Sequence, residues 1–428
     1  MKLGVLMRTC CALLSFVLLA ISMNALDEAK TRLSQPGGTF WSELAILGSG
    51  KDFNEDDFGV TVAISEDQKT VVVGAPGWES GGVVGAAYVF VEPPGGWTST
   101  TSYTAKLTSG TQNKLDSFGG TVAISGDVII VGAPNVLHHG SPDGSAYIFI
   151  KPVSGWKTTS QFAAELTGPE GQGVQGTFAG SVAIDGKTIV VGGAEDSAED
   201  GLAFVFGEPS NGWVSMRPTG ELKASDGFPG DQFGTSVATN GKTIAVGAIQ
   251  DDGGGGPGPG EAYVFVEPED GWISGMETAR LLASDGKTFD WFGISASVMG
   301  KTVVIGAWES GVGPGAAYVF VRPTGGWRDT TETAELTASD GELNDEFGTS
   351  VAVWGDTVFA GAPTRSVAYE FLKPEDGWKT TSHFDGELRQ TGTALVGGSL
   401  ALRGNTLVIG GVAGDHDSSP GAAFVLGR

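Results

Sequence analysis

The chain alternates short apolar runs with glycine-rich polar turns, a pattern that predicts strands rather than helices. Residues 118–125 alternate apolar and polar side chains, residues 128–131 form a short β-branched run, and residues 145–150 alternate again. A fourth strand is predicted between Trp156 and Leu166. Turns such as Asp185-Gly186 and Asn240-Gly241 supply the positive φ that a tight hairpin between the first two strands requires.

This four-strand pattern recurs about every sixty residues. A Phe-Gly pair or a variant of it opens each copy, at Phe58, Phe118, Phe178, Phe233, Phe292, Phe347 and, in a degraded form, Val396. A Gly-Ala-Pro mark or a variant follows at Gly74, Gly132, Gly192, Gly247, Gly306, Gly361 and Gly410. A third mark, Gly-Ala-Ala-Tyr-Val-Phe-Val in residues 85–91 and 315–321, leads to a Pro and a Gly-Trp. That register holds Trp41, Trp97, Trp156, Trp213, Trp272, Trp327 and Trp378.

Four-stranded units at this spacing predict an all-β fold, a seven-bladed β-propeller of four-stranded blades. The Phe-Gly marks and the register tryptophans both count seven copies. The repeats begin with a fourth-strand sequence at residues 41–47, and the chain ends with a third-strand sequence at residues 421–426. We therefore expect the N-terminal strand to complete the last blade and close the ring.

The spacing of Phe-Gly and Gly-Ala-Pro resembles the FG-GAP repeat family over about residues 39–428. This family is known from the propeller of integrin α-subunits and from secreted propellers, some of them lectins. The resemblance implies the propeller fold, whereas its implication for function is weaker because lectins, adhesion receptors and enzymes all use propellers. Integrin-type repeats bind calcium in a D-x-D-x-D-G loop between the first two strands. Residues 65–70 and the Gly-Lys-Thr turns cannot form such a cage, so calcium is not carried over to that place.

The N-terminal residues have the features of a secretory signal. Lys2 and Arg8 precede the apolar run of residues 10–22, which is too short for the ~20 residues of a membrane span. We predict a signal peptide over residues 1–25, a short linker over 26–38 and the propeller over 39–428. Both cysteines, Cys10 and Cys11, lie in the signal, so the secreted, extracellular protein is expected to fold without disulfides. No second apolar stretch reaches spanning length.

Composition narrows the choice of partners. The 428 residues include 50 Asp and Glu against 25 Lys and Arg, a formal net charge of −25. Such a chain lacks the basic surface that nucleic acid requires, so nucleic acid is excluded as a partner.

Glycine contributes 70 residues, yet 40% of the chain is hydrophobic, which is enough to bury a core. We expect a folded monomer.

The acidic residues are expected to gather on one face of the propeller. Two kinds of connection share a face in a propeller: those from the fourth strand of one blade to the first strand of the next, and those from the second to the third strand within a blade. Half of the 50 Asp and Glu fall in these connections. The opposite face is predicted to carry Lys69, Lys187, Lys242, Lys301 and Arg403. This asymmetry would steer a cationic partner or divalent ions, although acidic surfaces also serve solubility alone.

Pairs of aspartates recur before the Phe-Gly mark, in the frame S-D-G-x-x-x-D-x-F-G. The pairs are Asp226 and Asp231, Asp285 and Asp290, and Asp340 and Asp345. The interpretation we favour is that these carboxylates accept backbone N–H bonds in the turn that enters the first strand. The alternative is a metal site, for which two carboxylates are few, since calcium takes about 6–8 oxygens. No cofactor is firmly predicted, and calcium is left open at these pairs.

Tryptophans outside the structural register are candidates for ligand binding. Trp78-Glu79 and Trp308-Glu309 share the motif W-E-S-G in connections from the second strand to the third, and Trp291 directly precedes Phe292. A loop tryptophan can cover a sugar ring while a neighbouring carboxylate accepts hydroxyl hydrogen bonds. Local packing of the loops is the competing interpretation.

The sequence holds no nucleophile elbow, H-E-x-x-H or P-loop, so no catalytic residue is predicted. The leading hypothesis is a secreted, non-enzymatic binding or adhesion propeller that recognises extracellular carbohydrate or a cell-surface protein through its acidic loop face. The alternative is a polysaccharide-degrading propeller enzyme that uses an acidic pair on the same face.

Overall fold

The computed structural model describes residues 32–34, 41–50, 57–77, 84–111, 113, 115–138, 141–142, 144–168, 178–194, 201–250, 258–308, 313–389, 394–413 and 421–428. Seven antiparallel sheets, each with four core strands, are arranged as the blades of a ring. The predicted all-β, seven-bladed propeller is therefore confirmed. Blades are numbered here by their first strands in chain order.

Each blade runs from its first strand at the axis to its fourth strand at the rim. The first strands are Thr61–Ile64, Thr121–Ser125, Ser181–Asp185, Phe233–Thr239, Ser295–Met299, Ser350–Trp354 and Ala394–Arg403. The second strands are Thr70–Ala75, Val128–Ala133, Thr188–Gly193, Thr243–Ala248, Thr302–Ala307, Thr357–Ala362 and Thr406–Ala413. The third strands are Ala86–Val91, Ser145–Ile150, Leu202–Gly207, Glu261–Val266, Ala316–Val321, Val367–Leu372 and Ala422–Gly427.

The fourth strands of blades 1 to 6 are Ala105–Leu107, Ala164–Leu166, Gly220–Lys223, Ala279–Leu282, Ala334–Leu336 and Gly386–Arg389. In blade 7 the outer position is taken by Ser42–Leu47, which pairs antiparallel with Ala422–Gly427. Both ends of the repeat region thus lie in one sheet. Short additional elements are Arg32–Ser34, Leu137–His138, Ser141–Pro142, Gly275–Met276, Thr330–Thr331 and the 3-10 helix Pro363–Arg365.

Glycines bring neighbouring blades to backbone contact. The Gly-Ala-Pro glycine of one blade lies against the carbonyl group at the Phe-Gly position of the next, as Gly306 does against Gly348. The same contact joins Gly74 to Gly119, Gly132 to Ala179, Gly192 to Gly234, Gly247 to Gly293, Gly361 to Gly397 and Gly410 to Gly59. A Cβ atom at Gly306 would overlap the Gly348 oxygen, so a larger residue would separate the blades.

A hydroxyl group bridges most of these junctions. Ser295 Oγ donates to Gly348 O at 2.7 Å, and Ser350 Oγ donates to Gly397 O at 2.6 Å. Equivalent bonds run from Thr121 to Ala179 O, from Ser181 to Gly234 O and from Ser236 to Gly293 O. The carbonyl that meets the glycine of the preceding blade is therefore also hydrogen-bonded by that blade, which satisfies a group withdrawn from water.

Aromatic side chains fill the space within each blade. The Phe of the Phe-Gly mark packs against an aromatic residue of the third strand, as Phe292 does against Tyr318 with ring centroids 5.2 Å apart. Both side chains are buried. Six of the seven register tryptophans are buried as well, namely Trp41, Trp156, Trp213, Trp272, Trp327 and Trp378. The register residues are thus part of the scaffold.

The first strands surround a cavity of about 180 Å³ on the axis. Small side chains line it at one position of every blade: Ala63, Ala123, Ala183, Ala238, Ser297, Ala352 and Ala401. Ligand pockets for small molecules usually measure about 300–1,000 Å³. The axial cavity is therefore too small to be the main binding site.

The rim of each blade is covered by a segment from elsewhere in the ring. The stretch after the register tryptophan pairs parallel with the fourth strand of the preceding blade, as Thr330 does with Leu281. Equivalent pairings are Leu47 with Thr100, Leu107 with Thr159, Leu166 with Met216, Leu222 with Gly275 and Leu336 with Thr381. Blade 6 differs, because Arg32–Ser34 pairs antiparallel with Gly386–Arg389. Residues 32–34 lie in the segment predicted as a linker.

Trp41, just before the strand Ser42–Leu47, anchors it to blade 6. Trp41 Nε1 donates to Glu370 Oε1 at 2.9 Å, and the indole packs edge-on against Phe359 at 5.4 Å between centroids. The Arg428 guanidinium lies 5.6 Å from the indole centroid and 3.5 Å from Glu370 Oε1. Glu370 is only 2% exposed. One buried carboxylate thus joins the start of the repeat region, blade 6 and the C-terminal residue.

Gly306→Ala is expected to lower the free energy of unfolding by about 3 kcal/mol, because the new methyl group must push the carbonyl of Gly348 away. Gly325→Ala is the matched control in the same blade, since no atom lies within 4 Å of its Cβ position. The measurement is the midpoint of guanidinium unfolding for both variants. Equal midpoints would show that the blades tolerate wider spacing.

Glu370→Gln tests the buried carboxylate at the junction of the chain ends. Burial raises the pKa of Glu370, while the Trp41 hydrogen bond and the Arg428 charge lower it. With a net raised pKa, the folded wild type binds more protons than the unfolded chain, so wild type loses stability as pH rises from 4.5 through the raised value. Gln keeps an acceptor for Trp41 and does not titrate. The stability of the variant relative to wild type is therefore expected to increase from pH 4.5 to neutrality in thermal unfolding. A decrease over that range would contradict this prediction.

Candidate functional site

The upper face of the propeller is formed by the connections from the fourth strand to the first and from the second strand to the third. Several large apolar side chains are exposed there among the acidic residues: Leu115, Phe228, Phe289 and Leu343. Each belongs to a connection that enters the first strand of the next blade. This face therefore combines negative charge with exposed apolar surface, which suits recognition of a ligand.

The residue before the Phe-Gly mark adopts a left-handed backbone in five blades: Asp57, Ser117, Gln232, Trp291 and Glu346. This conformation costs most residues roughly 1–2 kcal/mol. Four blades place a short or flexible polar side chain at the position, whereas blade 5 places the largest aromatic residue there. Trp291 has φ of +54°. The left-handed backbone is therefore a feature of the repeated turn, and the indole is what distinguishes blade 5.

Trp291 and Trp308 form an aromatic pair on the upper face of blade 5. Their ring centroids are 5.1 Å apart and their planes meet at 77°, an edge-to-face arrangement. Trp308 directly follows the second strand Thr302–Ala307, and both indoles are half-buried. The structure thus brings together two of the predicted ligand-binding residues. Trp78, Glu79 and Glu309 lie outside the described residues.

The second aspartate of each pair holds its own turn. Asp231, Asp290 and Asp345 are all buried, and each accepts a backbone N–H bond of 2.6 Å through Oδ2 from the residue three positions earlier. The donors are Phe228, Lys287 and Glu342. These are the bonds that the turn interpretation of the aspartates expects.

The first aspartate of each pair is bound by a tyrosine of the third strand. Tyr318 Oη donates to Asp285 Oδ1 at 3.0 Å, and Tyr369 Oη donates to Asp340 Oδ1 at 3.0 Å. Tyr263 donates to Asp226 in the same way at 3.1 Å. In these three blades the tyrosine of the Gly-Ala-Ala-Tyr-Val-Phe-Val mark therefore fixes the connection above it.

Two of the three aspartate pairs are neutralised by arginines of the protein itself. In blade 4 the Arg280 guanidinium binds Asp226 Oδ2. In blade 6 Arg365 reaches Asp340 Oδ2 at 3.1 Å and Asp345 Oδ2 at 3.0 Å, and Arg389 contacts Asp340 Oδ2 at 2.8 Å. In blades 4 and 6 the arginine side chains of the protein thus supply the positive charge that an aspartate pair would attract.

Blade 5 lacks this internal cation. Glu335 occupies the register position that Arg280 has in blade 4, each opposite the tyrosine of its third strand. Asp290 is 4% exposed, and its Oδ1 atom is buried without a hydrogen-bond partner in the described part of the chain. Burial raises the pKa of Asp290 and of Glu335, the charge of Asp285 raises both further, and Lys287 lowers both. The carboxylates of blade 5 therefore lie where negative charge is poorly compensated.

The FG-GAP repeat family model matches residues 41–90, 101–149, 217–265, 276–320 and 330–368. These segments together span more than half of the chain. The chain belongs to the FG-GAP repeat family. Among solved structures, this FG-GAP propeller is similar to the computationally designed Ika8 protein at 14% identity, with 89% of this chain and 99% of that chain covered and a TM-score of 0.47. No curated protein matches it.

Two further observations concern metals and membranes. Among the residues that the structure describes, this FG-GAP propeller has no group of three or more His, Cys, Asp or Glu side chains placed to share an ion. Over the same ranges, none of its helices has the length and hydropathy needed to cross a membrane. The three aspartate pairs for which calcium was left open all form the hydrogen bonds described above, and those of blades 4 and 6 also form ion pairs.

Sequence reasoning missed the partners of the aspartates. The signal was only partial, because the three copies with the full S-D-G frame carry tyrosine in the third strand, but Tyr88 and Tyr147 occupy the same position in blades 1 and 2, which lack the frame. No sequence pattern indicated that arginines would bind these aspartates. Arg280 and Arg389 come from fourth strands and Arg365 from a short helix, so no shared spacing connects them to the aspartates of this FG-GAP propeller.

Arg365→Met is expected to lower the free energy of unfolding by about 2 kcal/mol, because it leaves the buried Asp345 beside Asp340 without the bridging cation. Lys379→Met is the control, since its ion pair with Asp376 is exposed and is expected to contribute nothing measurable. Thermal and urea unfolding compare the two variants. If both changed stability equally, the blade 6 aspartates would not need a cation.

Proposed function

We propose that this FG-GAP propeller is a secreted, non-enzymatic binding protein whose upper face recognises extracellular carbohydrate. The observation that carries the proposal is the half-buried, edge-to-face pair of Trp291 and Trp308. An indole presents a large apolar surface at low entropic cost, and the apolar face of a pyranose ring can stack on it. Neighbouring carboxylates such as the exposed Asp285 would accept hydrogen bonds from sugar hydroxyls.

The choice of tryptophan at position 291 supports a role in binding over a role in packing. Gly, Asn or Asp would occupy a left-handed position at lower cost, and packing of the loop would not require an indole that stays half exposed. Phe289, two residues earlier, is also left-handed with φ of +71° and is 50% exposed. Gly230 and Asn344 are left-handed at the same position in blades 4 and 6, so this backbone belongs to the turn. What sets blade 5 apart is that both left-handed positions carry aromatic side chains.

Secretion is proposed from the N-terminal sequence. Lys2, Arg8 and the apolar residues 10–22 resemble a signal peptide, and FG-GAP repeats are typical of extracellular proteins. A cell-surface protein is the other ligand that fits an acidic face with exposed apolar residues. We favour carbohydrate because the best-defined feature of the face is a pair of indoles, not a broad apolar patch.

The alternative function is a polysaccharide-degrading enzyme, and one observation favours it. Burial raises the pKa of Asp290 and of Glu335, and a raised pKa is what a general acid needs in glycoside hydrolysis. Release of reducing ends from polysaccharides by the purified protein would support this alternative. Against it, Asp290 is committed to the backbone N–H of Lys287 in its turn.

Trp308→Ala is expected to weaken carbohydrate binding at least about tenfold, because indoles that cover a ligand contribute much of the binding free energy. The melting temperature is expected to change little, since the side chain is half exposed. The wild type is first screened on a glycan and polysaccharide array with calcium and again with EDTA, and hits are titrated by calorimetry. Trp354→Ala is the control, a half-buried tryptophan on the opposite face that packs against Arg403.

Two outcomes would contradict the proposal. A large loss of stability in Trp308→Ala would make the indole structural. The absence of binding across the array in both conditions would remove carbohydrate as the ligand class and leave a protein partner.

A further inference from the structure

Blades 4, 5 and 6 repeat one arrangement with one difference. In each, the second aspartate accepts a backbone N–H bond and the first accepts a tyrosine hydroxyl. Blade 4 adds Arg280, and blade 6 adds Arg365 and Arg389. Two copies of the arrangement therefore have a guanidinium group beside their carboxylates. The arrangement can thus accommodate a cationic group.

In blade 5 the corresponding carboxylates have no such group. Asp285, Asp290 and Glu335 form no ion pair with any described residue, and Asp290 Oδ1 is buried without a partner. Lys287 is the positive side chain of this connection, but it is exposed and forms no described ion pair. A buried acceptor without a partner costs free energy, and a cation beside the exposed Asp285, whose charge acts on Asp290, would lower that cost.

The aromatic pair lies next to this cluster along the chain. Asp290 immediately precedes Trp291, and Trp308 contacts Trp291. An apolar stacking surface beside uncompensated carboxylates suits a ligand with an apolar ring face and a positive charge. Among carbohydrates this combination is found in amino sugars, whose free amine is protonated at mildly acidic pH.

We propose that the upper face of blade 5 binds an amino sugar, with its ring against Trp291 and Trp308 and its ammonium group beside Asp285, Asp290 and Glu335. This inference rests on the proposed function and specifies the class of carbohydrate. The ammonium group takes the place that Arg280 and Arg365 occupy in the neighbouring blades. The acidic upper face adds long-range attraction for a chain of such sugars.

The test compares two oligosaccharides that differ in charge. A fully deacetylated glucosamine hexamer and an N-acetylglucosamine hexamer are titrated into the purified protein by isothermal calorimetry. The charged hexamer is expected to bind at least about tenfold more tightly, since hydrogen bonds to charged groups contribute about 1.5–3 kcal/mol. Its affinity is also expected to fall as salt rises, unlike that of the neutral hexamer.

Glu335→Arg is the decisive variant because it gives blade 5 the internal cation of blade 4. It is expected to abolish the preference for the charged hexamer while the neutral hexamer binds as before. Asp285→Asn is a second variant of nearly the same size, and it is expected to reduce the preference. Glu269→Gln removes one exposed charge from the opposite face and is expected to change neither affinity. Thermal unfolding confirms that each variant is folded.

The outcomes separate this inference from the proposed function. Equal binding of both hexamers would overturn the amino-sugar inference and leave the carbohydrate function standing. Binding of neither would overturn both. Unchanged preference in Glu335→Arg and Asp285→Asn would place the cationic group elsewhere. Tighter binding of an oligolysine peptide than of the glucosamine hexamer, lost in Glu335→Arg, would identify a protein partner and overturn the sugar.

Discussion

The contact between backbones of neighbouring blades is the constraint on which the rest of this structure depends. At every junction, a glycine of one blade lies against the carbonyl at the Phe-Gly position of the next, and the last junction joins Gly410 to Gly59. Because no side chain separates the strands there, the spacing of seven blades is set by peptide groups. The hydroxyl groups of residues such as Ser350 then satisfy the carbonyls that this approach withdraws from water.

A ring fixed in this way leaves its connections free to differ. The residue before the Phe-Gly mark has the same left-handed backbone in blades 4, 5 and 6. The turn nevertheless carries an arginine-neutralised aspartate pair in blades 4 and 6 and an indole pair with uncompensated carboxylates in blade 5. The third-strand tyrosines extend the scaffold into these turns by binding the first aspartate. The three connections therefore differ in a few side chains on a shared backbone.

The sequence allowed the fold to be predicted in detail, because a propeller is a local pattern repeated. Phe-Gly, Gly-Ala-Pro and the register tryptophans each mark one place in a blade, and their spacing suffices to count the blades. The candidate site depends on residues far apart in the chain. Glu335 and Asp290 come from different segments, and the lack of an arginine ion pair to them among the described residues is visible only by comparison with Arg280 and Arg365. The strain at Trp291 likewise has no signature in the sequence, since the same position holds Asp, Ser, Gln or Glu elsewhere.

The strand Arg32–Ser34 has a consequence for solubility. In six blades the outer strand is covered by the connection between the third and fourth strands of the next blade. Blade 6 cannot be covered this way, because the next blade takes its fourth strand from the other end of the chain. Residues 32–34 cover it instead. Each of the seven outer strands is thus paired on its open side over one to three residues, which shortens the strand edge to which another molecule could add a strand.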